Sequence, residues 1–376
     1  MARVVVLGSS FGGITAAYQL RKLLPPRHEV LMVSNASTFV FRPSLPWVVL
    51  GLRRPEQVTA DLTPGLQKRG IEFFQATVTQ IDPVARRVAT TQGDVDYDFL
   101  VIALGAHLKR EAVPGLDAHT ECILWLDDAL RVREKLERFP GGRIGVLDVQ
   151  GSPLACPSYE VALGLHVYLQ QRGLRAKTRI FFISHANTPF EQAGPKASAI
   201  VAQELQRAGI DWRGGRTLQR VDAGAATFAG GERIEADLWL AFPPYRGTDP
   251  LVRAPALADA SGFVEVDRTM RSLRFPNVYA VGDAVAFPGP KSGRMAVLQA
   301  YVAAHNLARA LEGASGRKQY KSHLLCIMEL GAGRALFAYR RKLPPQGPAT
   351  FAAALPGRLP HAAKVLWEKY FLATRF

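Results

Sequence analysis

Three cysteines, Cys122, Cys156 and Cys326, are the residues of this 376-residue chain with the most chemistry to offer. Their number is odd, they lie far apart, and no C-x-x-C occurs, which argues against a disulfide framework and against a structural zinc site. Two readings remain for each: a small buried hydrophobe, or a thiol kept for reaction. A thiolate is a strong nucleophile, and a disulfide sulfur is open to attack by a second, small sulfur nucleophile. Glu160 follows Cys156 by four residues in "CPSYEVAL". On a helix that places a carboxyl one turn from the thiol, a proton relay if buried and a surface carboxylate if not.

Cys156 is held between the strand-like "GGRIGVLDVQ" and the helix-like "PSYEVALGLHVYLQQRGL". In an α/β unit that binds a nicotinamide dinucleotide, this junction carries Gly-x-Gly-x-x-Gly, and an acid follows the next strand. Here the junction keeps only Gly151, and the strand "KTRIFFIS" is followed by His185. A helical stretch over 194–208 and short glycine-punctuated strands to about 245 complete an α/β unit without a nicotinamide fingerprint.

The N-terminal stretch "VVVLGSSFGGITAAYQLRKLL" is the contrasting case. A β-branched run meets a turn of Gly8, Ser9, Ser10, Gly12 and Gly13, and a helical pattern follows. Ser10 takes the middle glycine's place, and the helix N-terminus is free to face a pyrophosphate. The next strand ends at Ser34 and Asn35, two uncharged hydrogen-bonding partners. "YDFLVIALGA" ends in Ala103, Leu104 and Gly105, and "PNVYAVGDAVAF" runs into Gly282 and Asp283, where Asp283 alone would also read as an N-cap. In this order the three segments predict FAD as the bound dinucleotide.

Lys and Arg number 47 against 32 for Asp and Glu, a formal charge of +15. No dense basic run with interleaved aromatics occurs, so nucleic acid is excluded as the expected partner. An anionic membrane surface, small anions, or mere proteome-wide basicity remain. No run of about 18 apolar residues spans a bilayer, and no signal peptide precedes the first strand. After "FAYRRKLPPQGPATFAAALPGRLP", read as a basic, proline-rich loop, comes "HAAKVLWEKYFLATRF". Its helical projection gathers Ala363, Leu366, Trp367, Tyr370 and Phe371 on one broad face and sets Lys364, Glu368, Lys369 and Arg375 elsewhere. That pattern suits a helix lying in a membrane interface or one docked on a core.

The chain resembles the sulfide:quinone oxidoreductases, within the FAD-dependent, disulfide-reductase-like flavoproteins. That group also includes type II NADH dehydrogenases and the flavin subunit of flavocytochrome c sulfide dehydrogenase. The likeness is carried by "FVFRPSLPWVVLG", by "GPKSGRMAVLQAYVAAHNLA", by "AAKVLWEKYFLATRF", and by the cysteines in "TECILWLDDAL", "LACPSYEVAL" and "LLCIMELGAG". It implies an α/β fold with two Rossmann-like domains and a short C-terminal amphipathic membrane-binding region. The expected boundaries are 1–107 with 246–318 for the FAD domain, 108–245 for the second, and 319–376 for the quinone and membrane region. By the same resemblance Cys156 and Cys326 form the redox pair, joined directly or through bridging sulfur. Cys122 either attaches to FAD or helps handle sulfide and product. Lys291 and the dipole of a helix starting near Asp283 would favour thiolate and reduced flavin. Arg42, Pro43 and Val78 join the FAD contacts, and Phe337, Trp367, Tyr370 and Phe371 the quinone site. The implied partners are sulfide, a membrane quinone and an anionic membrane surface, with a homo-oligomer allowed and the protein peripheral, on the cytoplasmic face. Three alternatives stand beside this: a flavocytochrome c-type subunit, a type II NADH dehydrogenase, and a non-catalytic flavin-bearing module.

Overall fold

The computed structural model describes residues 1–153, 156–287, 289–341 and 351–376. The run Arg3–Leu7, buried from Val4 onward, is the central strand of a five-stranded parallel sheet. Its order is Val278–Ala280, Phe99–Ile102, Arg3–Leu7, Glu29–Ser34, Glu72–Gln75. The inner strands read as nearly unbroken apolar runs because both faces of the sheet are covered, while the edge strand Glu72–Gln75 stays half-exposed. Helices Phe11–Leu23 and Gly293–Leu311 pack together, and their side chains merge with one face in a single apolar cluster. A separate cluster, including Val5, Leu7, Leu100 and Val278, fills the other face. The chain leaves Arg3–Leu7 toward one neighbour and returns on the other side, so a crevice opens at the strands' carboxyl ends, the usual place for a ligand.

A second parallel sheet has the order Asp211–Arg213, Thr178–Ser184, Gly142–Asp148, Leu238–Phe242. Helix Cys156–Gln171 packs on it, and helix Pro195–Arg207 precedes its edge strand. The short strands Leu218–Asp222, Ala225–Phe228 and Arg233–Glu235 form an antiparallel ribbon beside it.

The C-terminal region corrects two expectations. The segment over 337–360, read as a loop, has strands at both described ends. His323–Gly331, Arg334–Arg341 and Phe351–Gly357 form an antiparallel sheet, while 342–350 lie outside the described residues. Pro356 sits on the edge strand, where its missing N–H leaves no ladder gap. Helix Arg358–Arg375 follows, and it splits the expected apolar face. Lys364, Glu368 and Phe371, at i, i+4 and i+7, are buried, whereas Leu359, Leu366 and Tyr370 point outward. Two charged side chains were expected in water, but they meet buried partners of opposite charge instead. Among the described residues no helix is long and apolar enough to cross a membrane.

A third correction concerns Asp283. Residues Gly282–Ala284 form only a short 3-10 turn, and the helix begins ten residues later at Gly293. Its N-cap Ser292 accepts a hydrogen bond from the Met295 N–H at 3.4 Å.

Candidate active site

Gly8 sits at φ +97°, and a Cβ there would stand 2.3 Å from the Ala103 carbonyl oxygen. A Cβ on Gly13 would stand 1.8 Å from the Gly8 carbonyl oxygen. Only glycine permits this approach of helix, turn and strand. Ser10 is the N-cap of helix Phe11–Leu23 but makes no side-chain cap bond, and no acid stands in the first turn. That helix N-terminus is left to an external anion. Ser9 and Ser34 tie the turn to the next strand through hydroxyls 2.7 Å apart.

These groups open on a cavity of about 1000 Å³. Of the expected FAD contacts, Gly8, Ser9, Ser10, Gly12, Ser34, Asn35, Arg42, Pro43 and Val78 line it. So do Ala103, Leu104, Gly105, Gly282, Asp283 and Lys291. Gly13 lies behind the wall, where its work is steric. A long cavity with a glycine cradle and an uncapped helix end fits a dinucleotide.

The charges around Asp283 are partly matched. Burial in the cavity wall raises its carboxyl above the ordinary range, and Lys291 and Arg42 draw it back. Lys291 Nζ donates to the carbonyls of Asp283 (2.9 Å) and Val285 (2.6 Å) and lies over the Phe263 ring. Burial lowers Lys291, with Asp283 opposing. The Arg42 guanidinium lies 3.8 Å from the centre of the Trp125 ring, which also lines the cavity. Sequence reasoning missed Trp125 and the cavity-lining Tyr245, since neither falls in a glycine motif.

Cys156 is the first residue of helix Cys156–Gln171, and Cys326 lies in strand His323–Gly331, which packs against that helix. Both line the cavity, both are free thiols, and their side chains are hydrogen-bonded to each other. That bond, followed by burial, pushes Cys156 well above the ordinary thiol range. Cys326 and Glu160 add to the rise, and Lys364 opposes it. The cation acting on the thiols is therefore Lys364, a correction to the expectation placed on Lys291. Lys364 also lines the cavity, and its Nζ donates to Glu160 Oε1 at 2.7 Å. Glu160 is 5% exposed. Burial raises its carboxyl, and Lys364 pulls it partly back. Burial works against the Lys364 ammonium, but Glu160 and Glu329 outweigh it and keep it charged. The i, i+4, i+7 stripe of Lys364, Glu368 and Phe371 was the signal that could have found it.

Cys122 is buried and does not line the cavity. Burial pushes its thiol up to about 11, with a hydrogen bond from the Leu124 backbone opposing. Of the expected quinone residues only Trp367 reaches the cavity. Its ring stacks on Phe11 and meets Phe41 edge-on. Phe371 is packed behind it among Phe11, Phe39 and Phe41. Tyr370 is 67% exposed, and Phe337 sits in the C-terminal sheet opposite Ile327, outside the cavity wall.

The sequence profile of the pyridine nucleotide-disulphide oxidoreductases matches residues 2–305. The chain is 28% identical to the sulfide-quinone reductase of Aquifex aeolicus, across 98% of this chain and 90% of that protein. The crystal structure of the sulfide:quinone oxidoreductase from the same bacterium superposes with a TM-score of 0.94 at 27% identity, covering 100% of this chain and 91% of that one. An NADH dehydrogenase-like protein of Mycobacterium tuberculosis is 30% identical over 76% of this chain and 73% of its own length. The chain belongs to the FAD-dependent pyridine nucleotide-disulphide oxidoreductase family, on its sulfide:quinone oxidoreductase branch.

Proposed function

We propose that this protein oxidises sulfide at Cys156 and Cys326 and passes the two electrons to a membrane quinone. The observation that carries the reading is the meeting of both thiols on the wall of the cavity that the Gly8 turn opens into. When bound, FAD supplies a two-electron acceptor that a quinone can reoxidise. Gly8, Gly12 and the end of helix Phe11–Leu23 would hold its pyrophosphate, and Asp283 and Lys291 the region nearer the ring system.

The chemistry of the chain's own residues follows from the oxidised pair. HS⁻ attacks one sulfur of the Cys156–Cys326 disulfide. A new S–S bond forms to the incoming sulfur as the old one breaks, leaving one cysteine as a persulfide and the other as a thiolate. Lys364 neutralises that thiolate in a site where burial otherwise opposes the charge. The electron pair leaves across the cavity, and one proton is released for each HS⁻ converted to sulfur at the zero oxidation level.

The nicotinamide route lacks its cradle. Beyond strand Gly142–Asp148 the chain offers Gly151 alone, and the Gln150 side chain is spent on the Leu218 backbone N–H and carbonyl. Anaerobic addition of sulfide to the yellow holoprotein should bleach the flavin band, and a soluble quinone should restore it. NADH should leave the band unchanged; bleaching by NADH and not by sulfide would overturn the reading.

Membrane attachment is assigned to the outward side of helix Arg358–Arg375. There Leu359 is 85% exposed and Leu366 65% exposed, beside Tyr370 and the exposed Phe351 and Leu355. Burying two leucines is worth about 1.5–3 kcal/mol each. The double variant Leu359→Asp, Leu366→Asp should therefore lower binding to anionic liposomes at least about tenfold. Its turnover with a water-soluble quinone should stay at the wild-type level, and undiminished co-sedimentation would remove this face from the membrane. The units assigned are 1–107 with 246–318 for FAD, 108–245 for the second α/β unit and its helix bearing Cys156, and 319–376 for Cys326, quinone and membrane. Trp367 is the proposed quinone wall, and Cys122, buried and off the cavity wall, is proposed as a packing residue rather than a contact to sulfur or FAD.

A further inference from the structure

Behind the thiol pair, a cluster of charge runs inward from the cavity wall, which Glu160 and Lys364 line. Glu160, Glu329, Lys364 and Glu368 are all buried, each no more than 6% exposed. Lys364 Nζ lies 2.7 Å from Glu160 Oε1, and the Glu329 backbone N–H donates to the same oxygen at 3.0 Å. The Glu329 side chain turns the other way: its Oε2 stands 2.9 Å from His361 Nδ1, and its Oε1 is buried without a hydrogen-bond partner. His361 is 31% exposed, so the cluster reaches the surface there. The Trp47 ring walls one side, 4.9 Å from Lys364 Nζ and 5.9 Å from the His361 ring centre.

We infer that Glu160, Lys364, Glu329 and His361 form the exit by which the proton released at Cys156 and Cys326 reaches solvent. The inference rests on the sulfide reading above. Oxidation of HS⁻ to sulfur at the zero level frees two electrons, which leave across the cavity with proton uptake at their acceptor, and one proton at the thiol pair, for which this cluster offers a route to solvent. A buried carboxylate with an open acceptor oxygen, next to a partly exposed imidazole, is a suitable step on that route. The groups facing Lys364 are Cys156 and Glu160 from helix Cys156–Gln171 and Cys326 and Glu329 from strand His323–Gly331. On its own helix His361 is committed to Glu329, and Glu368 to Arg53 at 3.0 Å and to the Ser44 hydroxyl. Glu368 therefore holds the helix in place and stands outside the path. Glu329 and His361 are positioning residues that act through Glu160 and Lys364.

The test uses the FAD-loaded full chain with His361→Gln and, separately, Glu329→Gln. Flavin bleaching is followed between about pH 6 and 9 in H₂O and D₂O, with and without added imidazole. Loss of a relay group should slow bleaching by about tenfold to a hundredfold near neutral pH. It should also raise the solvent isotope effect and, for His361→Gln, be reversed by imidazole. An unchanged rate and pH profile in both variants, or a His361→Gln loss that imidazole does not restore, overturns the path. A second arm replaces sulfide by dithiothreitol, which reduces the same disulfide and also sheds protons. Failure of sulfide alone in the wild-type protein sinks the substrate reading, and the dithiothreitol arm still judges the path.

Discussion

Cys156→Ser should lower sulfide-dependent quinone reduction by at least about a thousandfold, the scale at which removal of a covalent nucleophile is felt. A hydroxyl forms neither the disulfide that sulfide attacks nor the persulfide that follows. The fold should hardly notice. Residue 156 opens helix Cys156–Gln171, a position that accepts serine. Its side chain reaches the cavity wall at the margin of the core, and serine is smaller than cysteine. The purified variant should therefore keep its FAD, its yellow spectrum and its denaturation midpoint while losing bleaching by sulfide. Cys326→Ser should match it, because the two thiols act as one unit, and the double variant should be no worse than either single one. Turnover within tenfold of wild type in either single variant would remove the pair from the reaction. A loss accompanied by an empty, colourless protein would mean that the pair is structural.

Legibility from sequence followed how local each feature's physics is. Four of the five parallel strands announced themselves because burial leaves mostly apolar residues, as in "VVVL" and "FLVI", whereas the half-exposed edge strand Glu72–Gln75 went unread. The Gly8 turn was equally plain, since no other residue fits the approach to Ala103. Cys156 stood out by what it replaced in the second glycine loop. Nothing in sequence, apart from family resemblance, could bring Cys326 to it, because strand His323–Gly331 meets helix Cys156–Gln171 across 170 residues of chain. The C-terminal sheet was hidden by Pro356 and by basic residues such as Arg340 and Arg341, which an edge and an open sheet face tolerate. The helix after it misled for a different reason. Amphipathic patterning assigns charge to water, and it fails where two charged residues have buried partners on other elements. Lys364 meets Glu160 and Glu368 meets Arg53, more than 200 and 300 residues away respectively. The Lys364 failure falls at the site itself, where a buried polar group is retained for chemistry, whereas Glu368 holds the helix to Ser44 and Arg53.

The largest expected effect on stability belongs to that misread lysine. Lys364→Met keeps the length of the side chain but leaves Glu160 buried without its counter-charge. Breaking a buried pair from one side costs about 3–5 kcal/mol. The pH dependence has a definite sign. Burial already raises Glu160 in the folded protein, and loss of Lys364 raises it further. A carboxyl whose folded pKa lies above its unfolded one is best tolerated when protonated, and the stability that gives is lost as pH rises through the folded value. The gap between wild type and Lys364→Met should thus be small in mildly acidic solution and widen toward neutral and alkaline pH. Lys364 itself is raised in the folded state. Its own contribution is complete below the unfolded lysine value and fades only as pH climbs through the folded one, so wild type keeps its advantage across the neutral range. Denaturant midpoints by circular dichroism at several pH values would measure this. Glu160→Gln combined with Lys364→Met should recover much of the loss, since a neutral pair replaces an orphaned charge. Recovered stability without recovered turnover would separate the pair's structural role from its electrostatic service to Cys156. A gap independent of pH, or a double variant no more stable than Lys364→Met alone, would show that Lys364 supports the fold through packing against Trp47 rather than by balancing the carboxylate.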